Sequence, residues 1–362
     1  MAGKKIRMGV IGVGSIARGS HIAGIKRSPD AELVAVCDIV PKKLEEAAKD
    51  YGLDASRCFL DYEDLLKCPD VDAVSICTPN DVHVPIALAA VKHGKPFAVE
   101  KPLSVDGRSA KRLHEAVKAA GIPNMVCFSY RFRGAALYAR DLIAEGRLGT
   151  LRHVYASYLQ SWGNPRKDCP RVWRFDAKVT GSGALGDLGS HALDLVRYVT
   201  GREIENLVAQ TGTFVHERRS PDPAAKKGAK LPVDVDDYAH VLAQMSGGAS
   251  ASFTISRNAF GRGNYQRIEF YGDQGGLVYE LEREDSLGVC FEPDAERNCR
   301  YDRVPVPEKY RVDQMQTFFN IVKGKRRWPG ATVEDGYLNQ LCMDAALRSA
   351  RTGRAVAVAP GR

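Results

Sequence analysis

Short apolar runs alternate with amphipathic stretches over the first third of the chain. The apolar runs are almost unbroken, as in parallel strands buried on both faces, and the stretches between them have helical spacing. The predicted strands are 6–11, 33–37, 73–77, 96–99 and 124–128. The predicted helices run from the turn at 12–17 to Lys26 and over 42–51, 62–67, 82–93 and 107–120. This alternation predicts a doubly wound parallel sheet, in which ligands bind at the carboxyl ends of the strands.

The pattern changes after residue 128. Alternation of apolar and polar positions now predicts strands, which together favour a largely antiparallel sheet. These predicted strands are 151–162, 204–215, 237–245, 249–257, 266–271 and 276–282. Helical spacing is found at 135–145, 183–199, 313–323 and 332–352. Residues 217–232 are rich in Arg, Lys, Pro and Ala and are predicted to be mobile.

The two patterns and the length of 362 residues predict two domains. The first covers 1–128 and the second covers 129–362, with C-terminal helices that could pack back on the first domain. The fold class is α/β, with a parallel sheet followed by an open, mostly antiparallel sheet that has helices on one face. The other face carries apolar residues, for example in 252–255, so we expect subunits to associate through it.

Composition narrows the class of protein. No apolar run reaches the ~18 residues of a membrane span, and Met1–Lys5 lead straight into the first strand, so we expect no membrane segment and no signal peptide. The nine cysteines are scattered without a C-x-x-C pair, which favours buried thiols in a reducing cytoplasm. The net charge of +8 is modest, and its densest cluster at 323–327 has no nucleic-acid-binding motif beside it. We therefore interpret that cluster as a solvated loop and expect no nucleic acid partner.

A glycine-rich turn joins the first predicted strand to the first helix. Its sequence is Gly12-x-Gly14-x-x-Ala17, and Asp38 follows about 20 residues later, at the end of the next strand. Gly12 permits the tight turn, Gly14 lets a pyrophosphate approach the backbone, and Ala17 lets the helix pack on the strand. This arrangement is typical of a dinucleotide-binding Rossmann domain. Asp38 favours NAD because a carboxylate repels the 2′-phosphate of NADP, although the lysines at 42–43 keep NADP open.

The strand at 96–99 ends at Glu100-Lys101-Pro102, in the predicted ligand cleft. The Lys101 ammonium could donate to a substrate hydroxyl and stabilise the alkoxide that forms as hydride leaves. The peptide bond before Pro102 could be cis. The alternative is an ordinary charged strand end.

A second candidate stretch is Asp187-x-x-x-His191, within the predicted helix 183–199. α-Helical spacing places these two residues on one face, close to Asp194. A histidine can accept a hydroxyl proton near neutral pH, and a neighbouring carboxylate raises its basicity. The alternative is a capped helix with a satisfied histidine. No third ligand is evident, so we expect no metal.

These motifs, together with Thr78-Pro79-Asn80 and His83, resemble the Gfo/Idh/MocA family of sugar and cyclitol dehydrogenases, in an order that spans nearly the whole chain. The resemblance implies NAD or NADP, reversible oxidation of a secondary hydroxyl, and a homodimer or homotetramer. The catalytic residues it implies are Lys101, Asp187 and His191. The cofactor contacts expected from the motifs and the resemblance are Gly12, Gly14, Ser15, Ile16, Asp38, Thr78, Pro79, Asn80, His83, Glu100 and Lys101.

A finer resemblance points to the branch of the family that contains levoglucosan dehydrogenase and inositol dehydrogenase-like enzymes. It rests on segments such as 158–162, 173–175, 233–237 and 257–262. Aromatic faces suit the C–H faces of a pyranose, and amide and guanidinium groups suit its hydroxyls. The expected substrate contacts are Tyr158, Gln160, Trp162, Arg174 and Asn258. Core packing is the alternative for each aromatic residue.

The sequence therefore predicts an NAD(P)-dependent dehydrogenase that oxidises a secondary hydroxyl of a pyranose sugar, an anhydrosugar or an inositol. In this hypothesis His191 accepts the proton, Lys101 stabilises the oxyanion, and Asp187 orients the hydroxyl or the histidine. The basic loop at 166–171 leaves room for an anionic substrate, so a reductase of a nucleotide-linked or keto sugar is one alternative. A non-enzymatic dinucleotide-binding regulator is the other, and it would not need the three catalytic residues.

Overall fold

The structure is a computed structural model, and it describes residues 4–283, 285–291, 300–325 and 329–358. The expectations that rest on residues 1–3, Arg326 and Arg327 lie outside the described residues. The chain divides into two compact units, Met1–Phe128 with Val312–Tyr337 and Ser129–Arg311 with Leu338–Arg362. Residues 312–337 thus belong to the first unit. Two contacts with β6 hold this segment in the first unit. Val333 N–H donates to Asn124 Oδ1 at 2.9 Å, and Val126 pairs with Ala331.

The first unit contains a parallel sheet with the strand order β3-β2-β1-β4-β5-β6. Its strands are β1 (Ile6–Ile11), β2 (Ala31–Cys37), β3 (Cys58–Phe59), β4 (Ala73–Ile76), β5 (Phe97–Val99) and β6 (Asn124–Val126). Its first helices are α1 (Ala23–Arg27), α2 (Pro41–Tyr51), α3 (Tyr62–Lys67), α4 (His83–Lys92) and α5 (Gly107–Ala120). Neighbouring strands run parallel throughout this order. The predicted Rossmann-like sheet is confirmed.

Local signals set many helix ends in this unit. Pro41 occupies the first turn of α2, and Gly52 ends that helix in the left-handed region at φ +67°. Asp106 caps α5 through the N–H of Ser109 at 2.8 Å, and Gly121 ends it at φ +63°. These caps explain why the predicted bounds of α2 and α5 agree closely with those observed.

The second unit is built on a mixed, mostly antiparallel sheet with the order β16-β15-β14-β13-β7-β12-β11-β8-β17. Its strands are β7 (Leu151–Leu159), β8 (Ile204–Gly212), β11 (Tyr238–Met245), β12 (Ser250–Ser256), β13 (Tyr265–Gly272), β14 (Gly275–Glu280), β15 (Ser286–Phe291), β16 (Asp302–Pro305) and β17 (Val356–Ala357). β7 and β12 are parallel, whereas β7 and β13 are antiparallel. Its helices are α6 (Gly134–Ala144), α7 (Ala177–Thr180) and α8 (Ser190–Thr200).

Two helices follow the second sheet's main strands in the chain. α9 (Gln314–Val322) belongs to the first unit, and α10 (Val333–Thr352) begins in the first unit and ends in the second. Among the described helices, none combines the length and the apolar character needed to cross a bilayer.

One face of the second sheet is covered and the other is exposed. Val154, Ala156 and Tyr158 of β7 point into a core that α6 and α8 also line, whereas Tyr155 between them is 48% exposed. This period of two is what the sequence pattern predicted. The covered face therefore defines where α8 and its histidine lie relative to the strands.

The two ends of the segment 217–232, which was predicted to be mobile, form a strand pair. β9 (Glu217–Arg219) pairs antiparallel with β10 (Lys230–Pro232). Arg218 is buried, with its guanidinium 4.1 Å from the centre of the Phe175 ring and donating to Gly163 O. Composition alone predicted mobility because it does not reveal that this arginine has an aromatic partner elsewhere in the chain.

Candidate active site

The glycine-rich turn brings its predicted residues to the carboxyl ends of β1 and β2. Gly12 has φ +85°, and a Cβ there would lie 2.8 Å from the carbonyl oxygen of Cys77. At Gly14, by contrast, a Cβ would have no neighbour within 4 Å. Ser15 and Ile16 are exposed at the start of the following helical turn. The turn therefore leaves open space beside Gly14, which suits the close approach of a pyrophosphate.

Asp38 lies at the end of β2 with its carboxylate turned toward this turn. One oxygen accepts the N–H of Val13 at 3.0 Å and the other accepts the N–H of Val40 at 3.0 Å. Lys43 approaches to 3.7 Å, but its side chain is half exposed. A buried carboxylate held in this way can accept ribose hydroxyls and disfavours a 2′-phosphate.

A third strand end carries Thr78, Pro79 and Asn80. The hydroxyl of Thr78 is buried and makes no hydrogen bond to any described residue, so it has capacity for a ligand. Asn80 is buried at the start of the short turn Asn80–Val82, which leads into α4. Together with the open space at Gly14 and the carboxylate of Asp38, this set of groups fits a dinucleotide.

His83 does not present a ring nitrogen to a ligand. It is fully buried, with Nε2 2.8 Å from Thr78 O and Nδ1 2.9 Å from Pro102 O. Both ring nitrogens face main-chain carbonyls, so the expected direct cofactor contact through this ring is not supported. His83 instead joins the end of β4 to the segment after β5.

Lys101 is the second residue after β5 and is half-buried. Its main-chain N–H donates to Oε2 of Glu100 at 3.3 Å, and its peptide bond to Pro102 is cis. Glu100 is buried, and its other carboxylate oxygen lies 2.9 Å from Nε2 of His21. The structure therefore places Glu100 and Lys101 at the carboxyl edge of the sheet, in agreement with the sequence pattern.

One group of side chains in the described residues could hold a metal ion. The ligand atoms of His21, Glu100 and Cys127 all lie within 4.8 Å of one another, and all three residues are buried. Burial raises the pKa of the Cys127 thiol well above its usual value, which disfavours the thiolate that a metal requires. His21 and Glu100 already satisfy each other, so this group is better described as a hydrogen-bonded cluster.

In the second unit, His191 lies in the first turn of α8 and is only 6% exposed. Its ring is 4.5 Å from the ring of Tyr130 and 6.2 Å from that of Tyr158, measured between centroids. Asp187 lies within Leu185–Gly189, which is a π-helical turn. The helix predicted over 183–199 is therefore α-helical only from Ser190 onward, and Asp187 lies in the wider π turn before it.

The start of this helix is fixed by a buried carboxylate. Asp236 accepts the N–H of Gly183 at 2.6 Å and that of Leu185 at 2.7 Å. A Cβ at Gly183 would lie 1.9 Å from the carbonyl oxygen of Asp236, so only glycine allows this approach. The segment that leads to His191 is thus held by hydrogen bonds from its main-chain N–H groups to the Asp236 side chain.

Hydroxyl and amide groups cluster beside the His191 ring. The hydroxyls of Tyr130 and Tyr158 are 2.6 Å apart, and that of Tyr158 donates to Asn264 Oδ1 at 2.8 Å. Gln160 donates to the same Asn264 oxygen at 2.7 Å. Burial raises the pKa of Tyr158, so its hydroxyl keeps its proton. Tyr158 and Gln160 were expected here, whereas Tyr130 and Asn264 carry no recognisable sequence signal.

Asp194, which the spacing placed near the catalytic face, has a different partner. Its carboxylate forms a buried two-point contact with Arg131, at 2.8 Å to Nε and 2.5 Å to Nη2. The Arg131 guanidinium also lies 4.5 Å from the centre of the Tyr198 ring. This pair anchors α8 to the segment that carries Tyr130.

Two of the remaining predicted substrate residues, Trp162 and Arg174, lie away from the His191 ring. The ring of Trp162 packs against that of Phe175, with 5.3 Å between their centres. The Arg257 guanidinium lies 5.0 Å from the centre of the Trp162 ring. Arg174 stacks on Trp173 at 4.4 Å. The amide nitrogen of Asn258 is buried and has no hydrogen-bond partner in the part of the chain that the structure describes. Trp162 therefore packs on Phe175, and the structure does not bring all the predicted substrate residues together.

Comparison with known proteins accounts for both units. Residues 6–128 match "Oxidoreductase family, NAD-binding Rossmann fold", and residues 136–278 match "GFO/IDH/MocA C-terminal domain". The chain belongs to the GFO/IDH/MocA family of oxidoreductases. Its first unit is the NAD-binding domain of this family, and the predicted cofactor and oxidoreductase class are confirmed.

Several members of the GFO/IDH/MocA family are similar over much of their length. Levoglucosan dehydrogenase from Pseudarthrobacter phenanthrenivorans is 36% identical over 267 residues, which cover 72% of this chain and 67% of that protein. Myo-inositol 2-dehydrogenase from Thermotoga maritima is 28% identical over 354 residues, which cover 97% of this chain and 98% of that protein. A solved structure of levoglucosan dehydrogenase with NADH and levoglucosan has a TM-score of 0.87 and 32% identity, and the match covers 98% of this chain and 100% of that one.

Proposed function

We propose that this protein is an NAD-dependent dehydrogenase that oxidises a secondary hydroxyl of a pyranose sugar, an anhydrosugar or an inositol. The observation that carries the proposal is the group of hydroxyls and amides around His191. Tyr130, Tyr158, Gln160 and Asn264 offer donors and acceptors to several neighbouring hydroxyls, next to a base that can take a proton. A relative solved with NADH and levoglucosan supports this substrate class.

The cofactor would be held by the strand ends of the first unit. The open approach at Gly14, the N–H groups of Ser15 and Ile16, and the carboxylate of Asp38 suit its pyrophosphate and ribose. The buried Thr78 hydroxyl, Pro79 and Asn80 extend this surface. When bound, NAD supplies the acceptor for the hydride.

Three residues of the chain would act on the substrate. His191 would accept the hydroxyl proton, and Lys101 would stabilise the oxygen as negative charge develops on it. Asp187, one π turn before α8, would orient the hydroxyl or the imidazole. The half-buried position of Lys101 beside Glu100 keeps its charge close to the strand ends.

A substrate panel tests the proposal. Purified protein is mixed with NAD or NADP and with pyranoses, anhydrosugars and inositols, and absorbance of the reduced nicotinamide is followed. We expect reduction of NAD with one group of these compounds and none without substrate. If no compound of the panel led to reduced nicotinamide while the protein still bound NADH, the proposal would be contradicted. That result would favour the reduction of a keto or nucleotide-linked sugar.

Asp38→Ala should change the choice of cofactor. Loss of a charge-assisted hydrogen bond to ribose is expected to raise the KM for NAD by about tenfold, while the KM for NADP falls because the repelling carboxylate is gone. Initial rates with both cofactors measure the change. Glu45→Ala, which removes an exposed carboxylate on α2, is the control and should behave as the parent protein. An unchanged ratio for Asp38→Ala would contradict the role of this carboxylate.

We further propose a homodimer or homotetramer formed through the exposed face of the second sheet. Val208, Leu242 and Tyr155 lie in one row across β8, β11 and β7, with Ser252 of β12 opposite both Leu242 and Tyr155. All three apolar side chains are exposed, and Leu242 is 66% accessible. An exposed row with three large apolar side chains and one small serine favours contact with another subunit.

Leu242→Lys should weaken this association. A lysine in the middle of an apolar contact would lose hydration without gaining a partner, so we expect the subunit dissociation constant to rise about tenfold or more. Light scattering over a range of concentrations measures it. Leu60→Lys changes another exposed leucine, which lies in the first unit, and should have no effect. A parent protein that is a monomer at micromolar concentration would refute the association.

A cytoplasmic location is also proposed. Cys37, Cys77 and Cys127 are buried as thiols. Burial, with help from Asp38, raises the pKa of Cys37 to about 12, so this thiol stays protonated. Buried, unreactive thiols are typical of proteins that work in a reducing compartment.

A further inference from the structure

His21 is a fully buried histidine that the proposed reaction does not use. It lies in the π-helical turn Ala17–Ile22, directly after the glycine-rich turn. Its Nδ1 is 2.5 Å from the hydroxyl of Ser75, and its Nε2 is 2.9 Å from Oε1 of Glu100. One imidazole therefore connects the helix that follows the glycine-rich turn with β4 and with the carboxyl end of β5.

The contact between His21 and Glu100 has a defined direction. A carboxylate only accepts hydrogen bonds, so Nε2 carries the proton and donates it. The second oxygen of Glu100 accepts the main-chain N–H of Lys101 at 3.3 Å. Each oxygen of this carboxylate is thereby held, one by His21 and one by Lys101.

The charges of the two groups support each other. Burial raises the pKa of Glu100, but two effects of His21 bring that pKa below the ordinary value. These are the hydrogen bond that His21 donates and the positive charge of its ring. Burial lowers the pKa of His21, but the neighbouring Cys77 and Glu100 raise it above the ordinary value. The pair is therefore an imidazolium and a carboxylate at neutral pH. Removal of the histidine would leave a buried carboxylate without this partner.

We propose that His21 is a positioning residue that acts through Glu100. It holds the Glu100 carboxylate, and with it the Lys101 backbone, in the arrangement that the cofactor and the substrate require. It also couples the helix after the glycine-rich turn to the end of β5. The roles of Glu100 and Lys101 rest on the proposed function, whereas the contact between His21 and Glu100 is a feature of the first unit alone.

A double-mutant cycle with His21→Leu, Glu100→Gln and the combined variant tests this inference. The full-length protein is used, and kcat, KM and the dissociation constant of NADH are measured, the last by fluorescence titration. We expect His21→Leu to lower kcat and NADH affinity by about tenfold each, the scale of a charge-assisted hydrogen bond. The combined variant should lose no more than Glu100→Gln alone, because both changes disrupt one unit.

A conservative variant separates positioning from packing. His21→Gln places an amide N–H where it can donate to the same carboxylate, so it should recover most of the loss seen in His21→Leu. His216→Gln, at an exposed histidine of the second unit, is the matched control and should behave as the parent protein. Equal losses for the glutamine and leucine variants, with normal thermal unfolding, would overturn the proposal.

Three further outcomes have clear meanings. Additive losses in the cycle would overturn the inference, since His21 would then act independently of Glu100. One zinc ion per chain, present in the parent protein and lost in His21→Gln, would also overturn it, because His21, Glu100 and Cys127 would be metal ligands. Coupling in NADH binding without oxidation of any sugar would support the inference while contradicting the proposed function.

Discussion

Replacing Lys101 with alanine should lower kcat by about 100-fold or more, with little change in the dissociation constant of NADH. Lys101 follows β5 at the edge of the sheet where ligands bind, and its ammonium is the cation that we assign to the developing oxyanion. The variant keeps the glycine-rich turn and Asp38, which are assigned to the cofactor. Steady-state kinetics and a fluorescence titration with NADH separate the two effects.

Two variants make the Lys101 experiment specific. Lys92→Ala removes an exposed lysine from the last turn of α4 and should leave kcat unchanged. Lys101→Arg keeps the charge but presents it in a planar group, so partial activity would indicate that charge itself matters. Near-normal turnover of Lys101→Ala, with the protein folded, would contradict the assigned role.

His191→Ala should also lower kcat by about 100-fold or more, because the group assigned to accept the proton is lost. The ring is nearly buried against Tyr130, so its removal also leaves space beside the hydroxyl cluster. His191→Gln fills that space without supplying a base, and it should be as slow as His191→Ala. The measurement is kcat with the best substrate of the panel.

The control for His191 is His216→Ala, at an exposed position in the same unit. Thermal unfolding of both variants shows whether the contact with Tyr130 matters for folding. If His191→Gln turned over at the parent rate, the histidine would be a packing residue and another base would be needed. If both Lys101 and His191 variants were active, the proposed chemistry would be wrong.

Much of the first unit could be predicted because its signals are local. Caps and glycines mark the ends of helices, and unbroken apolar runs mark strands that are buried on both faces. Gly12 and Asp38 lie 26 positions apart in the chain, yet the intervening strand and helix have standard lengths, so their meeting was predictable. The short strand Cys58–Phe59 was missed because two residues carry no pattern.

The parts that could not be predicted depend on partners far away in the chain. Arg131 and Asp194 meet across 63 residues, and Tyr130 and Asn264 meet across 134. Residues 217–232 have a polar composition that hides a buried arginine. Trp162 and Tyr158 belong to one sequence motif but to two clusters of the folded unit, because the chain turns away at the end of β7.

Two π-helical turns lie in the described residues, Ala17–Ile22 and Leu185–Gly189. Because of them, the number of residues in each segment affects which way its side chains point. Each turn contains one residue more than an α-helix would use, and His21 lies in the first while His191 follows the second. Deleting a single residue from either segment would let the helix close its normal turns, and the helix beyond would keep its phase because the π turn only takes up the extra residue. Only side chains inside the turn would change face, by about 100° for a shift of one position. A one-residue gap in an alignment of family members would therefore mark a redirected His21 at the first turn, which contains it, and would leave His191 in place after the second.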